Sequence, residues 1–216
     1  MLWRVTKARP GRVLPASFIQ PCISVEAARV PSGPGWVHEI KHDGYRMQVR
    51  KDGNRVRLLT RRGFDWTARY GWVVESVAKL KAETLTIDGE LVCAGADGIA
   101  DFAMLHGRCS DRDAFVYGFD LMELNGVDLR ALSLLERKAA LTKILRRAPA
   151  GIRLVEHDAG DGQALFDAAC RMGLEGIVSK KIDRPYKTGP KPCGHWIKVK
   201  NKRSPAYLRF RDGMDG

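Results

Sequence analysis

Residues 36–60 read WVHEIKHDGYRMQVRKDGNRVRLLT, and the periodicity of this stretch sets the fold class. A short strand over 36–41 stops near Asp43-Gly44, a turn dipeptide. Tyr45, Met47 and Val49 then alternate with Arg46, Gln48 and Arg50, the two-residue period of a strand with one buried face. After the turn Lys51-Asp52-Gly53-Asn54 a second strand occupies 55–60, which predicts a β-hairpin with one apolar face and one strongly basic face.

Outward from the hairpin, Tyr70, Val73, Val74, Val77 and Leu80 recur at helical spacing and predict a helix over 67–83. Two strands follow at 85–88 and 90–94, then a short helix near 102–106 and a strand at 115–123. Ser133-Leu134-Leu135-Glu136 is a capping box that opens a helix running to about residue 146. A strand at 152–156, a helix at 163–172 and strands at 176–181 and 196–200 complete the series. Strands and helices mix without strict βαβ alternation, which predicts an α+β fold of antiparallel sheets flanked by helices. Residues 1–35, rich in Pro and Gly, read as a wrapping arm with little regular structure. No repeat or Gly/Ser linker divides the chain, so one domain over 21–204 is expected, between an arm at 1–20 and a tail at 205–216.

The 216 residues are 44% hydrophobic and 29% charged, which excludes a disordered chain, a collagen-like chain and a small disulfide scaffold. The net charge of +12 points to a polyanionic partner, because clustered Lys and Arg neutralise phosphates and release their counterions. Eight basic and two acidic residues lie between Lys41 and Arg62, and nine and one between Gly176 and Ser204. These windows carry +6 and +8 while the remainder is net −2, so the excess is local. Five cysteines without a CxxC predict reduced thiols. No apolar run approaches the ~20 residues of a membrane span, and the first residues lack a signal-peptide core. A bacterial cytoplasmic monomer is expected. His38 and His42 have helical metal-pair spacing, but Asp43-Gly44 argues against a helix there, so no zinc site is expected.

Four segments hold residues suited to chemistry. In Glu39-Ile40-Lys41-His42-Asp43-Gly44-Tyr45-Arg46 a lysine beside a glycine turn can project into a cleft. A lysine is nucleophilic only when neutral, a form that neighbouring Arg and Lys would favour; taken alone, a solvated basic hairpin is the simpler reading. Ile87-Asp88-Gly89-Glu90-Leu91 sets carboxylates between apolar strands, where an unpaired charge is costly and a ribose hydroxyl, a metal or a lysine would serve as partner; an acidic turn is the alternative. Glu175-Gly176-Ile177-Val178-Ser179-Lys180-Lys181 again puts a carboxylate at the lip of a strand. Trp196-Ile197-Lys198-Val199-Lys200 places two lysines and a ring on one strand face, as phosphate contact or a plain amphipathic edge would.

In order the four give K-x-D-G-x-R, D-G-E, E-G-I-V-S-K and W-I-K-x-K, a series that resembles motifs I, III, IV and V of the ATP-dependent DNA ligases, most closely the bacterial repair ligases. Residues 59–66 (LTRRGFDW) are similar to motif Ia and residues 115–121 (FVYGFDL) to motif IIIa, so the resemblance spans about residues 20–204. It implies the ATP-grasp-like nucleotidyltransferase fold of DNA ligases and capping enzymes. It also implies that Lys41 attacks the ATP α-phosphate to form lysyl-AMP, and that Glu39 lies at the adenine edge. By the same resemblance Arg46 and Arg61 contact ribose and phosphate, Glu90 binds the ribose and Phe119 stacks on adenine. Lys198 and Lys200 hold the α-phosphate, and Glu175, with Glu90, serves Mg²⁺ or Mn²⁺. The two basic windows, through Arg50, Arg62, Lys180 and Lys181, are expected to meet nicked duplex DNA, with other repair or DNA-end-binding proteins as further partners. Alternatives are an RNA ligase or capping-type nucleotidyltransferase, and a catalytically weak DNA-end-binding accessory. Family members usually continue into an OB-fold domain, whereas only about fifteen residues follow Lys200, too few for such a barrel. A lone catalytic domain, a fragment or completion by a separate chain is the expectation, with slow self-adenylation.

Overall fold

The computed structural model describes residues 18–95, 102–107 and 112–211, so the expectations for residues 1–17, Cys109 and residues 212–216 lie outside the described residues. In chain order the first elements are β1 (Ile23–Glu26), β2 (Trp36–Ile40), β3 (Tyr45–Asp52), β4 (Arg55–Thr60) and α1 (Gly71–Ala78). The middle of the chain supplies β5 (Thr84–Cys93), α2 (Phe102–Gly107), β6 (Ala114–Leu124), β7 (Val127–Asp128) and α3 (Leu134–Leu145). It closes with β8 (Ile152–Leu154), α4 (Gly162–Arg171), β9 (Gly176–Lys181), β10 (Pro192–Lys200) and α5 (Pro205–Arg211).

The predicted α+β class is observed. One sheet has the order β1-β10-β9-β2; the other runs β4-β3-β5-β6-β7, with β8 also on β6. Pairing is antiparallel except for β1 on β10 and β8 on β6. The hairpin forms as its alternation requires, with Met47 and Val49 wholly buried in a core shared with Leu58, Leu85, Ile87, Leu91 and Leu121. Its other face carries Arg46 and Arg50 of β3 with Arg55 and Arg57 of β4, the basic face expected, while Lys51 has the parity of the core face. Lys51 turns inward and donates to the carbonyls of Ala78 (2.8 Å) and Leu80 (2.5 Å), satisfying carbonyls that the end of α1 leaves without helical partners.

Other expectations need correcting. The helix expected over 67–83 is a 3₁₀ turn at Thr67–Arg69 followed by α1 alone, because Tyr70 has non-helical dihedrals (φ −134°, ψ 62°). The strands expected on either side of Gly89 are one strand, since Met47 and Gln48 of β3 pair straight through Gly89 and Asp88. Within the Pro- and Gly-rich stretch 1–35, residues Ile23–Glu26 form β1, and residues Pro205–Arg211 form α5. Cys22, Cys170 and Cys193 are free thiols as predicted, but Cys93 is disulfide-bonded. Among the described residues no helix is long and apolar enough to cross a membrane.

The capping box at the start of α3 forms as read: the Ser133 N–H donates to Glu136 Oε2 (2.9 Å) and the Glu136 N–H to Ser133 Oγ (3.4 Å). Two consecutive residues of this helix then enter the interior. Arg137 forks onto Asp120 (2.7 and 2.9 Å), and Lys138 reaches Glu39 on the other sheet (2.5 Å). The helix thus ties β6 to β2 and fixes one wall of the space between the sheets.

Candidate active site

The two sheets face each other across a cleft of about 820 Å³ that receives side chains from β1, β2, β3, β4, β5, β6, β9 and β10. Lys41 follows β2 directly, and its N–H donates to the Gly176 carbonyl (2.9 Å), which anchors the Lys41 loop to the start of β9. The glycines of the K-x-D-G and E-G motifs have a steric origin. A Cβ on Gly44 would lie 2.1 Å from the Leu91 carbonyl oxygen. One on Gly176, whose φ is +139°, would lie 2.1 Å from that of Val199. These close approaches bring Lys41, Glu90 and Glu175 to one place.

Lys41 Nζ donates to Glu175 Oε2 at 2.5 Å. Burial disfavours the ammonium, but Glu175 and then Glu90 outweigh that cost and raise the lysine pKa. This corrects the expectation that neighbouring cations would hold Lys41 neutral: its strongest charged neighbours are carboxylates. Glu90 shows the reciprocal strain. Desolvation pushes its pKa up to about 8 against Lys41 and Arg46, with Glu175 and Asp88 adding to the rise. Asp43 is raised too, by burial and Glu175, while Arg209 of α5, which donates to its Oδ2, opposes the shift. Next to Lys41, His42 lies flat on Tyr117 (3.9 Å, 12°), and burial lowers its pKa to about 4, so the ring is neutral.

Deeper in the cleft an aromatic and ionic cluster forms the floor. Arg46 forks onto Asp88 (Nε 3.0 Å, Nη2 2.6 Å) and lies over the rings of Phe119 (5.4 Å) and Trp196 (5.6 Å). Tyr186 donates to the same Asp88 (2.6 Å) and accepts from the Cys22 N–H (2.9 Å). The Asp88 carboxylate, for which a lysine, ribose or metal was expected, is therefore matched by an arginine and a phenol. Glu39 is buried between Lys138 (2.5 Å) and Lys180 (2.8 Å). Burial alone would raise its pKa, but these two lysines hold the carboxylate below its usual value.

Lys180 is misplaced by the sequence reading. It is 1% exposed, sits 4.4 Å from the Phe119 ring centre and 4.0 Å from that of Trp196, and is not on a DNA-facing surface. Its neighbour Lys181 is half-buried over Trp36 (5.3 Å), Arg50 is half-buried on β3, and Arg61 and Arg62 are exposed at the cleft mouth. Lys198 lines the cleft on the same face as Trp196, as the strand parity predicted. Lys198 and Lys200 both lie 3.5 Å from Glu26 Oε2.

The structure thus gathers Lys41, Glu90, Glu175 and Lys198 at one end of the cleft and Arg46, Phe119 and Glu39 at its floor. Glu26, Lys138 and Tyr186 escaped the sequence reading. Helical periodicity gives Lys138 no inward signal, and Tyr186 lies in a loop whose hydrogen-bond partner is 98 residues away. Among the described residues no group of three His, Cys, Asp or Glu could hold a metal ion as an all-protein cage.

The sequence pattern of the ATP dependent DNA ligase domain matches residues 18–200. The chain is 34% identical over 194 residues to the multifunctional non-homologous end joining protein LigD of Pseudomonas aeruginosa, covering 88% of this chain and 23% of that protein. It is 35% identical over 195 residues to a probable DNA ligase of Beutenbergia cavernae, covering 85% and 38%. Its fold superposes on the ligase domain of Mycobacterium tuberculosis LigD with a TM-score of 0.73 at 28% identity, covering 84% of this chain and 60% of that one. A mycobacterial DNA ligase D complexed with ATP and MES gives 0.71, at the same identity and coverage. The chain therefore spans only about a quarter to two-fifths of these two curated relatives.

Proposed function

Because this chain belongs to the ATP-dependent DNA ligase domain family, we propose that it carries out nucleotidyl transfer through Lys41 and serves DNA repair by sealing nicked duplex DNA. The observation that carries this reading is the position of Lys41, in a cleft between two sheets with Glu175 at 2.5 Å. Lys198 shares that cleft and is close enough for the two lysines to disfavour each other's charge.

In the proposed first step Lys41 Nζ attacks the α-phosphorus of ATP, a P–N bond forms, and the P–O bond to pyrophosphate breaks. The amine must first lose a proton, and in the ground state it is hydrogen-bonded to Glu175 Oε2. Charge gathering on the non-bridging oxygens is met by Lys198 and Lys200, fixed in place before reaction. Phe119 supplies a ring for the base, Glu39 borders the base edge of the cleft, and Arg46, locked by Asp88, presents a rigid guanidinium toward the sugar-phosphate. Arg61 would reach the nucleotide from the mouth.

Glu175 and Glu90 are the residues that would hold Mg²⁺ or Mn²⁺. Two hard carboxylates without a third protein ligand suit a cation that keeps phosphate oxygens and water in its shell. Such an ion supplies Lewis-acid polarisation of the phosphate. AMP then passes to the 5′-phosphate at a nick, and the 3′-hydroxyl displaces it. Arg62, with Lys181 and Arg50, would contribute phosphate contacts to the duplex. The end-joining role in the name of the LigD relatives suggests DNA-end-binding proteins as partners.

The test is incubation with α-labelled ATP and Mg²⁺, denaturing electrophoresis, and mapping of the adduct. An acid-labile AMP on Lys41, lost in Lys41→Ala, together with closure of a pre-adenylated nick, is the expected result. An adduct on Lys198 or Lys200, or none, would overturn the assignment.

A further inference from the structure

The two lysines read as phosphate ligands already hold an anion that belongs to the chain. β1 lies parallel to β10 with Glu26 directly opposite Lys198 in the ladder. A single carboxylate oxygen, Glu26 Oε2, is 3.5 Å from both Lys198 Nζ and Lys200 Nζ. The three side chains differ in access to water. Glu26 is 52% exposed, whereas Lys198 and Lys200 are 26% and 14% exposed. The carboxylate can swing into solvent, while Lys198 lines the cleft and Lys200 stays largely buried beside it. Burial and the nearby charges of Lys200 and Lys41 both disfavour the Lys198 ammonium, and Glu26 offsets them.

We propose that Glu26 is an affinity-setting residue, a resident counter-anion that an incoming polyphosphate must displace from Lys198 and Lys200. The inference rests on reading those lysines as phosphate ligands. An anion arriving at this place finds its two cations partly neutralised and a like charge beside them. Glu26 therefore weakens the hold on every phosphate that reaches the pair, and the effect is largest for pyrophosphate, whose charge is concentrated on few atoms. In the transfer reaction this favours departure of the leaving group, and when the cleft is empty it limits mutual repulsion between the lysines.

The direction of the effect separates this role from a structural one, because damage to the β1 edge would weaken binding whereas removal of a competing charge strengthens it. Calorimetric titration of the chain with the magnesium complexes of α,β-methylene-ATP and of pyrophosphate should show Glu26→Gln binding both about three- to tenfold more tightly than the parent, the scale of two partly exposed ion pairs. The gain should shrink as salt is raised and should disappear when Lys198 and Lys200 are both alanine. Unchanged or weaker binding by Glu26→Gln, while Lys198→Ala or Lys200→Ala weakens nucleotide binding, overturns the counter-anion role and leaves the phosphate role of the lysines standing. If neither lysine variant alters nucleotide binding, the phosphate reading fails and the Glu26 proposal falls with it.

Discussion

Replacing Glu90 with glutamine keeps the volume of the side chain and removes the ionisation that the cleft resists most visibly. Desolvation, with Glu175 and Asp88, places the Glu90 pKa at about 8 in the fold, against 4.5 for an unperturbed glutamate, even though Lys41 and Arg46 pull it down. Between those two values the folded chain binds more protons than the unfolded chain. The contribution of Glu90 to stability therefore falls as pH rises through the window and is fully lost above about 8. At about 1.4 kcal/mol for each pH unit, the span is worth on the order of 5 kcal/mol. Entry of water and movement of Lys41 toward the new charge reduce the realised value to about 2–4 kcal/mol. Urea unfolding of the nucleotide-free chain at pH 5 and pH 8.5 measures it directly. The glutamine variant should nearly match the parent at pH 5 and exceed it at pH 8.5. Comparing the two proteins cancels the titration of groups remote from Glu90. An equal difference at both pH values, or a variant less stable at pH 8.5, would show that the cleft accommodates the Glu90 charge after all.

Three further outcomes follow from the same geometry. Arg137→Met leaves Asp120 wholly buried without its cation and should cost about 3–5 kcal/mol in denaturant unfolding, much of it recovered when Asp120→Leu is added. Gly44→Ala forces a Cβ onto the Leu91 carbonyl and displaces the Lys41 loop, so the adenylation proposed for Lys41 should slow by about 100-fold in single turnover, the effect of a shift near 1 Å. Glu175→Gln removes the strongest support for the charged form of Lys41. The pH profile for chemical modification of Lys41 should then move to lower pH, and an unmoved profile would refute Glu175 as its counter-ion.

What the amino-acid sequence determined by itself rests on short-range physics. Alternation and a turn placed the hairpin of β3 and β4, a serine and a glutamate three residues apart opened α3, and strand parity put Trp196 and Lys198 on one face. The order of the motifs identified the family, and Lys41, Arg46, Glu90, Phe119 and Lys198 from those motifs line the cleft. Only the tertiary structure decided the charge state and partners of those residues. Lys180 and Lys138 look like surface cations in sequence, yet Glu39, buried with them, makes their interior positions tolerable. Lys41 proved to be held as an ammonium by Glu175, which is 134 residues distant. β1 is a strand because β10 lies beside it, and Glu26 meets its two lysines for the same reason. Backbone preference is a property of a few neighbouring residues. The cost of burying a charge depends on what the rest of the chain brings within a few ångströms of it.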